Sequence, residues 1–183
     1  MAGIRIIAGR FKGRRLKMPD WGGLRPTSDK LRETLFNIVA PRIADARVID
    51  AFAGTGALGI EALSRGASHV TFVESDRRAI SLIEANLAQC GITGGYTIQH
   101  GDALTVFRGM PRQATSALVF LDPPYDLADV TAVLDAAAPH VEADGWLVLE
   151  HATRRPPQVP SSLTVVREVR SGDSTLTFLS PQP

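Results

Sequence analysis

The sequence predicts an α/β protein built on a doubly wound sheet of mostly parallel strands. Short apolar runs alternate with amphipathic helical segments through the central part of the 183-residue chain, a pattern typical of repeated strand–helix–strand units. A glycine cluster separates the first run from a helix, and four runs end at an acidic residue or a Gly-Asp pair. Because parallel strands end at one edge of an open sheet, we expect these residues to meet in one crevice.

The N-terminal segment predicts a small basic β-hairpin. Residues 4–8 and 14–18 are short alternating segments around the sequence Gly-Arg-Phe-Lys-Gly, which favours two paired strands. We expect this hairpin to form an extension near the crevice. We therefore divide the chain into a hairpin and linker at 1–24 and a larger domain at 25–183.

The larger domain begins with a helix, because Thr27 or Ser28 can cap a segment with helical apolar spacing before Pro41. The last two predicted strands flank a Ser-Gly-Asp turn, which favours an antiparallel hairpin after five parallel strands. This pattern is typical of a Rossmann-like fold. The predicted strands lie at 47–49, 69–73, 96–99, 117–121, 145–149, 163–170 and 174–179, and the further helices at 58–65, 76–90 and 127–138.

The glycine cluster indicates a nucleoside cofactor. Gly54, Gly56 and Gly59 match G-x-G-x-x-G between a strand and a helix, where glycines let a ligand approach the backbone. Glu74 follows Gly56 by eighteen residues at the end of the second strand, the offset of an acid that accepts hydrogen bonds from a ribose. These features fit NAD nearly as well as S-adenosylmethionine.

Three further acidic positions favour S-adenosylmethionine. Asp50 ends the strand before the glycines, where a carboxylate attracts a cationic amino acid group, directly or through water, and repels a pyrophosphate. Asp102 offers an acceptor to an adenine amine, and Asp122 ends the fourth strand at the same edge. The candidate cofactor-binding residues are Asp50, Phe52, Gly54, Gly56, Glu74, Asp102 and Ala103.

The four residues Asp122, Pro123, Pro124 and Tyr125 follow the fourth predicted strand. The prolines remove two backbone donors, which leaves a carboxylate, main-chain carbonyls and an aromatic ring at the strand end. This set suits a planar amine, because the oxygens accept its hydrogens while the ring stacks on the attached base. We therefore take Asp122, Pro123 and Tyr125 as candidate catalytic residues.

These residues resemble the class I methyltransferases that act on exocyclic amines of bases, whose motif is Asp/Asn-Pro-Pro-Tyr/Phe. Segments at 5–9, 13–16, 24–27 and 32–37 make the chain similar to the RsmD family in particular. Each segment is short, but their order and spacing ahead of the glycine motif make the match specific. The similarity covers nearly the whole chain.

The resemblance implies direct, in-line transfer of a methyl group from S-adenosylmethionine to the N2 amine of one guanine in small-subunit (16S) ribosomal RNA. It also implies the strand order 3-2-1-4-5-7-6, a monomer, and a substrate within a small ribosomal subunit or its assembly intermediate. Family members often have an aromatic residue before the last Gly-Asp turn, where this chain has Ser171. That departure concerns the packing of the final hairpin.

Charge is distributed unevenly along the chain. The net charge is +1, but residues 1–32 carry nine basic and two acidic side chains, whereas residues 33–183 carry eleven basic and seventeen acidic ones. Such asymmetry favours a nucleic-acid-binding segment on an acidic body, and charge alone does not distinguish RNA from DNA. The candidate RNA-binding residues are Arg5, Arg10, Lys12, Arg14, Arg15, Arg25 and Arg32.

The composition argues against several other classes of protein. No apolar run approaches the roughly 18 residues of a membrane span. Cys90 is the single cysteine, which fits a reducing cytoplasm. The four histidines lack metal-ligand spacing, so we assign no metal. Three alternatives stay open: a methyltransferase for adenine or cytosine amines of DNA, an NAD-dependent oxidoreductase, and a non-enzymatic RNA-binding module.

Overall fold

The computed structural model of the protein describes residues 4–21, 28–125 and 127–182. Its helices are α1 (Asp29–Val39), α2 (Ala57–Ser64), α3 (Arg77–Gln89), α4 (Ala103–Gly109) and α5 (Val130–Ala137). Its strands are β1 (Arg47–Ala51), β2 (His69–Glu74), β3 (Tyr96–His100), β4 (Ser116–Leu121), β5 (Val141–Ala152), β6 (Leu163–Ser171) and β7 (Ser174–Pro181). Short 3-10 turns, Ala40–Arg42 and Ala138–His140, follow α1 and α5.

The strands form one sheet in the order β3-β2-β1-β4-β5-β7-β6. The pairs among β1 to β5 are parallel, and β7 pairs antiparallel with both β5 and β6. The predicted strand order, the five parallel strands and the C-terminal hairpin are therefore confirmed. The chain reverses its direction across the sheet between β1 and β4, and a crevice opens at the carboxyl ends of such a pair.

Two hydrophobic clusters cover the two faces of the sheet. One lies against α1, α2 and α3 and includes Phe36, Phe72 and Phe120, while the other lies against α4 and α5 and includes Phe107 and Leu134. Successive strand residues alternate between the clusters, because strand side chains have a period of two. Within the described ranges, no helix combines the length and apolar character that a membrane span requires.

The helices after the third and fourth strands differ from the predictions. No helix is predicted between those strands, yet α4 forms there, with its N-terminus capped by Asp102, which accepts a hydrogen bond from Thr105 N at 2.9 Å. At seven residues, α4 is too short to show a helical repeat of apolar side chains. α5 begins at Val130 rather than at 127, because the Asp129 carboxylate caps it.

The N-terminal segment forms the predicted hairpin, with Arg5 and Arg15 paired in an antiparallel β-bridge. Backbone hydrogen bonds of 2.8–2.9 Å flank this bridge. Ile4, Ile6 and Leu16 are buried in the same cluster as the helices α1 to α3. The hairpin therefore packs on the body of the protein and shares its core.

Side chains of the body hold the hairpin backbone in place. Glu61 on α2 is fully buried, and its carboxylate accepts hydrogen bonds from Ile7 N at 2.8 Å and Ala8 N at 3.0 Å. Asn86 on α3 accepts a hydrogen bond from Lys17 N at 2.7 Å. Since these contacts satisfy backbone donors of the hairpin, its position depends on α2 and α3.

Candidate active site

A cavity of about 900 Å³ opens at the carboxyl ends of the parallel strands. The loops after β1, β2, β3 and β4 line it, together with the start of α1 and the turn between β6 and β7. It occupies the predicted crevice, where the strand order reverses. The predicted residues that line it are Phe52, Gly54, Glu74, Asp102, Ala103, Asp122, Pro123 and Tyr125.

The glycine loop between β1 and α2 has a backbone conformation that residues other than glycine rarely adopt. Gly54 and Gly56 have φ values of 53° and 76°, which glycine tolerates because it lacks a Cβ. Phe52, with a φ of 64°, adopts the left-handed region despite its side chain. Gly59 packs so closely on β2 that an added Cβ would lie 2.2 Å from the Phe72 ring. The glycines thus let α2 begin close to the sheet, with the loop at the cavity wall.

Asp50 lies behind this loop and does not line the cavity. Its side chain is buried, and its carboxylate accepts a hydrogen bond from Gly59 N at 2.8 Å. Burial raises the pKa of Asp50 well above its ordinary value, and the nearby Asp122 and Glu74 carboxylates raise it further, whereas the Gly59 hydrogen bond opposes the rise. Asp50 therefore anchors the start of α2 and does not contact the cavity.

Glu74 lines the cavity while backbone donors hold its carboxylate. One oxygen accepts a hydrogen bond from Gly54 N, and the other accepts from Ser75 N and Asp76 N, each at 2.8 Å. These bonds fix the carboxylate beside the glycine loop. A carboxylate has about four acceptor positions, so Glu74 retains capacity for a ligand hydroxyl. Its contact with a ribose stays a prediction.

Asp102 and Ala103 line the cavity at the start of α4. Hydrogen bonds from Thr105 hold the pKa of Asp102 below its ordinary value, so this carboxylate is ionised at neutral pH. Ala103 is buried and presents an apolar surface next to it. An apolar wall with an adjacent acceptor suits a flat ring that carries an amine.

Asp122, Pro123 and Tyr125 line the cavity directly after β4. Tyr125 is 39% exposed, and its hydroxyl lies 2.8 Å from Ser174 Oγ at the start of β7. This hydrogen bond joins the loop after β4 to the C-terminal hairpin. It holds the Tyr125 ring at the exposed side of the cavity.

Glu150 on β5 also lines the cavity and is not among the residues predicted from the sequence. It is 7% exposed and lines both the main cavity and an adjoining cavity of about 270 Å³. The predicted strand ends at 149, whereas β5 continues to Ala152. A signal is nevertheless present in the sequence, because Glu150 follows an apolar run as Glu74 and Asp122 follow theirs.

The hairpin carries an exposed basic surface beside an aromatic ring. Arg10 and Arg14 flank Phe11, with guanidinium carbons 5.8 and 5.6 Å from the ring centre. Such a surface suits phosphates and stacked bases. Arg25 lies outside the described residues. The predicted RNA-binding side chains that are exposed here are Arg5, Arg10, Lys12, Arg14 and Arg15.

Arg32 does not lie on this surface, so the structure contradicts its predicted contact with RNA. Its guanidinium is buried and donates to the Arg5 carbonyl oxygen at 2.6 Å and to the Asp29 carboxylate at 2.9 Å. Burial lowers the pKa of Arg32, and Asp29 opposes that effect. Arg32 precedes the buried Phe36 by one helical turn, and this spacing is the signal that places both on the inner face of α1.

The sheet order, the glycine loop and the carboxylates at the strand ends define the class of the protein, which is a Rossmann-like fold of the methyltransferase type. In the described part of the chain, no three histidine, cysteine, aspartate or glutamate side chains are placed to share a metal ion.

Comparisons with known proteins identify the family. The family described as Conserved hypothetical protein 95 matches residues 4–180. The Escherichia coli (strain K12) Ribosomal RNA small subunit methyltransferase D is 39% identical over a match of 178 residues, and the match covers 92% of this chain and 85% of that protein. The chain therefore belongs to this family, the RsmD family, and the resemblance seen in the sequence is confirmed.

Solved structures show the same fold. The Escherichia coli protein yhhF, described as a candidate methyltransferase, matches with a TM-score of 0.84 at 35% identity and covers 98% of both chains. The protein SMU.776, described as a candidate methyltransferase complexed with SAH, matches with a TM-score of 0.68 at 15% identity. That match covers 82% of this chain and 48% of the other, and it shows the shared fold alone.

Proposed function

We propose that the protein transfers a methyl group from S-adenosylmethionine to the N2 amine of a guanine in small-subunit ribosomal RNA. The observation that carries this proposal is a single cavity lined by Gly54 and Glu74 on one side and by Asp122, Pro123 and Tyr125 on the other. Membership of the RsmD family supports methyl transfer, and the description of the Escherichia coli relative supports ribosomal RNA as the substrate.

The residues of the cavity fit S-adenosylmethionine in size and charge. A volume of about 900 Å³ accommodates a nucleoside cofactor together with part of a substrate. In this proposal, Glu74 accepts hydrogen bonds from the ribose hydroxyls, and Asp102 accepts them from the adenine amine. The carboxylates of Glu74 and Asp122 favour a cationic ligand and disfavour the pyrophosphate of NAD.

When bound, S-adenosylmethionine supplies a methyl group activated by a sulfonium. Asp122 and Pro123 prepare the amine that receives it. The guanine amine is a weak nucleophile because its lone pair is delocalised into the ring. If the Asp122 carboxylate and the Pro123 carbonyl accept its two hydrogens, the nitrogen becomes pyramidal and its lone pair is released for attack. The same carboxylate stabilises the positive charge that develops on nitrogen.

Tyr125 positions the base for this reaction in our proposal. Its exposed ring can stack on the purine, and the hydrogen bond with Ser174 fixes the ring orientation. Holding the reacting atoms about 3–3.5 Å apart then supplies much of the rate. A base inside folded RNA must leave its stack to reach this position.

The hairpin supplies affinity for RNA in this proposal. Its exposed arginine and lysine side chains suit phosphates. Ile4 belongs to the hairpin and also lines the cavity, so the basic surface begins at the edge of the active site. RNA held by the hairpin can therefore deliver a nearby nucleotide to Asp122. The substrate is a small ribosomal subunit or an assembly intermediate of it.

The proposal is tested by locating the methyl group. Small ribosomal subunits that lack the modification are incubated with the protein and S-adenosylmethionine labelled in its methyl group, and the RNA is digested to nucleosides. We expect the label in N2-methylguanosine at one nucleotide. Label in a methylated adenine or cytosine, or no transfer to subunits or to naked ribosomal RNA, would contradict the proposal.

A calorimetric titration tests the cofactor independently of turnover. We expect S-adenosylhomocysteine to bind and NAD to give no binding heat. Binding of NAD without binding of S-adenosylhomocysteine would contradict the proposal and favour an NAD-dependent oxidoreductase.

A further inference from the structure

We propose that Glu150 selects guanine by accepting a hydrogen bond from N1–H of the target base. This inference rests on the proposed function, because it concerns the base whose amine Asp122 holds. Asp122 alone cannot select guanine, since adenine and cytosine also carry exocyclic amines. A second group must distinguish the bases, and Glu150 lines the cavity beside Asp122.

The sheet places Glu150 level with Asp122. Leu149 and Leu121 are paired neighbours in the parallel strands β5 and β4, so the residues that follow them lie side by side. Neighbouring strands are about 4.8 Å apart. Both carboxylate residues line the main cavity, and Glu150 shares the adjoining cavity with Pro123 and Tyr125. Two acceptors from adjacent strands therefore border the site proposed for the base.

Guanine is the base whose edge matches two adjacent acceptors. Its N2 amine lies next to N1–H, so both positions are donors. In adenine and cytosine, the ring nitrogen next to the amine on the Watson–Crick edge is an acceptor. An ionised carboxylate has no hydrogen to donate, so it attracts N1–H of guanine and repels the bare ring nitrogen of the other two. Sites with a buried acceptor discriminate strongly against a ligand that leaves it unpaired.

The surroundings of Glu150 strengthen this selection. Its side chain is 7% exposed. On the side away from β4, β7 lies alongside, with Leu176 paired to Glu150. Hydrogen bonds are stronger and mismatches more costly where water is largely excluded. Because a carboxylate has about four acceptor positions, Glu150 can serve the base in addition to its contacts within the protein.

The test compares two purines at the methylated nucleotide. 2-Aminopurine keeps the N2 amine but has an acceptor at N1 and lacks O6. Small subunits are reconstituted with RNA that carries guanine or 2-aminopurine at the mapped position, and kcat/KM is measured for wild type, Glu150→Gln and Glu142→Gln. Glu142 is the matched control, because it lies on β5 outside both cavities.

We expect wild type and Glu142→Gln to prefer guanine by at least about tenfold, as expected for a hydrogen bond to a charged acceptor. Glu150→Gln should reduce this preference by at least about tenfold, because an amide can turn its NH₂ toward a bare N1. The loss of O6 affects all three proteins equally and cancels in the comparison.

An unchanged preference in Glu150→Gln, with guanine methylation retained, would overturn the role of Glu150 and leave the proposed function intact. A wild type that methylates no guanine would overturn both. Binding provides a readout that needs no variant: wild type saturated with S-adenosylhomocysteine should bind guanine-bearing subunits more tightly than those with 2-aminopurine. Equal affinities would overturn the inference even if Glu150→Gln fails to fold.

Discussion

The crevice and the N-terminal hairpin share residues of one hydrophobic cluster but present opposite charges. Glu74, Asp122 and Glu150 line the crevice, whereas the hairpin exposes arginine and lysine side chains. Ile4 connects the two regions, because it belongs to the hairpin, packs in the core and lines the cavity. The contrast favours a division of roles. The carboxylates would stabilise the positive charge of the cofactor and of the reacting amine, and the basic side chains would bind RNA phosphates.

The two regions also differ in which groups are fixed: a side-chain carboxylate in the crevice, and the backbone in the hairpin. In the crevice, backbone N–H groups fix the carboxylate of Glu74 before any ligand binds. In the hairpin, the backbone is fixed by Glu61 and Asn86, while the charged side chains are exposed. Preorganised polar groups suit chemistry, and exposed cations suit a phosphate backbone, whose contacts are electrostatic.

The largest effect is expected from Glu61→Ala, which removes the attachment of the hairpin. The backbone N–H groups of Ile7 and Ala8 and the Arg65 guanidinium would lose their acceptor. We expect the free energy of unfolding to fall by about 3–5 kcal/mol, as when one partner of a buried ion pair is removed. Chemical denaturation measures it, with the exposed Glu84→Ala as control. A loss below about 1 kcal/mol would show that Glu61 is not needed to hold the hairpin and that its other contacts, such as the Asn86 hydrogen bond, suffice.

Asp122→Ala tests the crevice without touching the hairpin. We expect turnover to fall by at least about a hundredfold, or roughly 2.7 kcal/mol, because the carboxylate no longer accepts from the amine. Affinity for S-adenosylmethionine should stay within a few-fold of wild type. Steady-state kinetics and calorimetry separate the two effects, with the exposed Asp144→Ala as control. Turnover within tenfold of wild type would remove Asp122 from the mechanism.

Glu74→Ala tests whether the crevice binds the cofactor where we propose. We expect affinity for S-adenosylhomocysteine to weaken by about 1.5–3 kcal/mol, the contribution of hydrogen bonds to a charged group. Because Glu74 also binds Gly54 N, the unfolding temperature is measured as well. Asp76→Ala is measured alongside, because Asp76 is the neighbouring alternative for the ribose contact. If the affinity of Glu74→Ala is unchanged, Glu74 does not bind the ribose, and Asp76 becomes the candidate for that contact.

The combined substitution Arg10→Ser, Lys12→Ser and Arg15→Ser tests the hairpin by charge alone. These side chains are exposed, so the fold and the cofactor affinity should persist. RNA affinity should fall, and the slope of log K against log salt should flatten by up to about three units, about one for each phosphate contact.

The control removes three charges that do not belong to the hairpin, through Arg47→Ser, Arg108→Ser and Arg112→Ser. These positions are exposed and lie near the starts of β1 and β4. An equal change of slope in both triple variants would show that the hairpin has no special part in RNA binding.

The smallest effect concerns Asp50, whose pKa is raised by burial. The folded protein therefore binds a proton at Asp50 more tightly than the unfolded chain, so stability decreases as the pH rises from the unfolded pKa of about 3.9 through the raised folded pKa. Asp50→Asn removes this dependence and keeps an acceptor for Gly59 N. We expect the variant to unfold at a higher temperature than wild type at pH 8, with a smaller difference at pH 5. A constant difference would contradict the raised pKa.

Most of the crevice could be predicted from the sequence, because its residues follow apolar runs. Glu74 and Asp122 each come at the end of a buried strand, and parallel strands bring such positions to one edge. Glu150 obeys the same rule, but the apolar run does not show that β5 continues past it. The pairing of β5 with β7 extends that strand, and such pairing depends on residues distant in sequence.

The contacts of the basic N-terminal side chains are harder to predict than the crevice, because charge counts do not show which side chains are exposed. Arg32 contributes to the basic N-terminal segment, yet its guanidinium supports the Arg5 carbonyl inside the protein. Likewise, Glu61 belongs to the glycine-motif helix in sequence but holds the hairpin in the structure. Contacts between segments more than fifty residues apart have no local signal.

The division between crevice and hairpin is tested most directly by the single-turnover rate of methyl transfer at increasing concentrations of small subunits. We predict that the hairpin variant lacking Arg10, Lys12 and Arg15 side chains reaches the wild-type rate at saturation, since only binding is impaired. Asp122→Ala should stay at least about a hundredfold slower at every concentration. A hairpin variant that remains as slow as Asp122→Ala at saturation would contradict the division, because the basic side chains would then act in the chemical step.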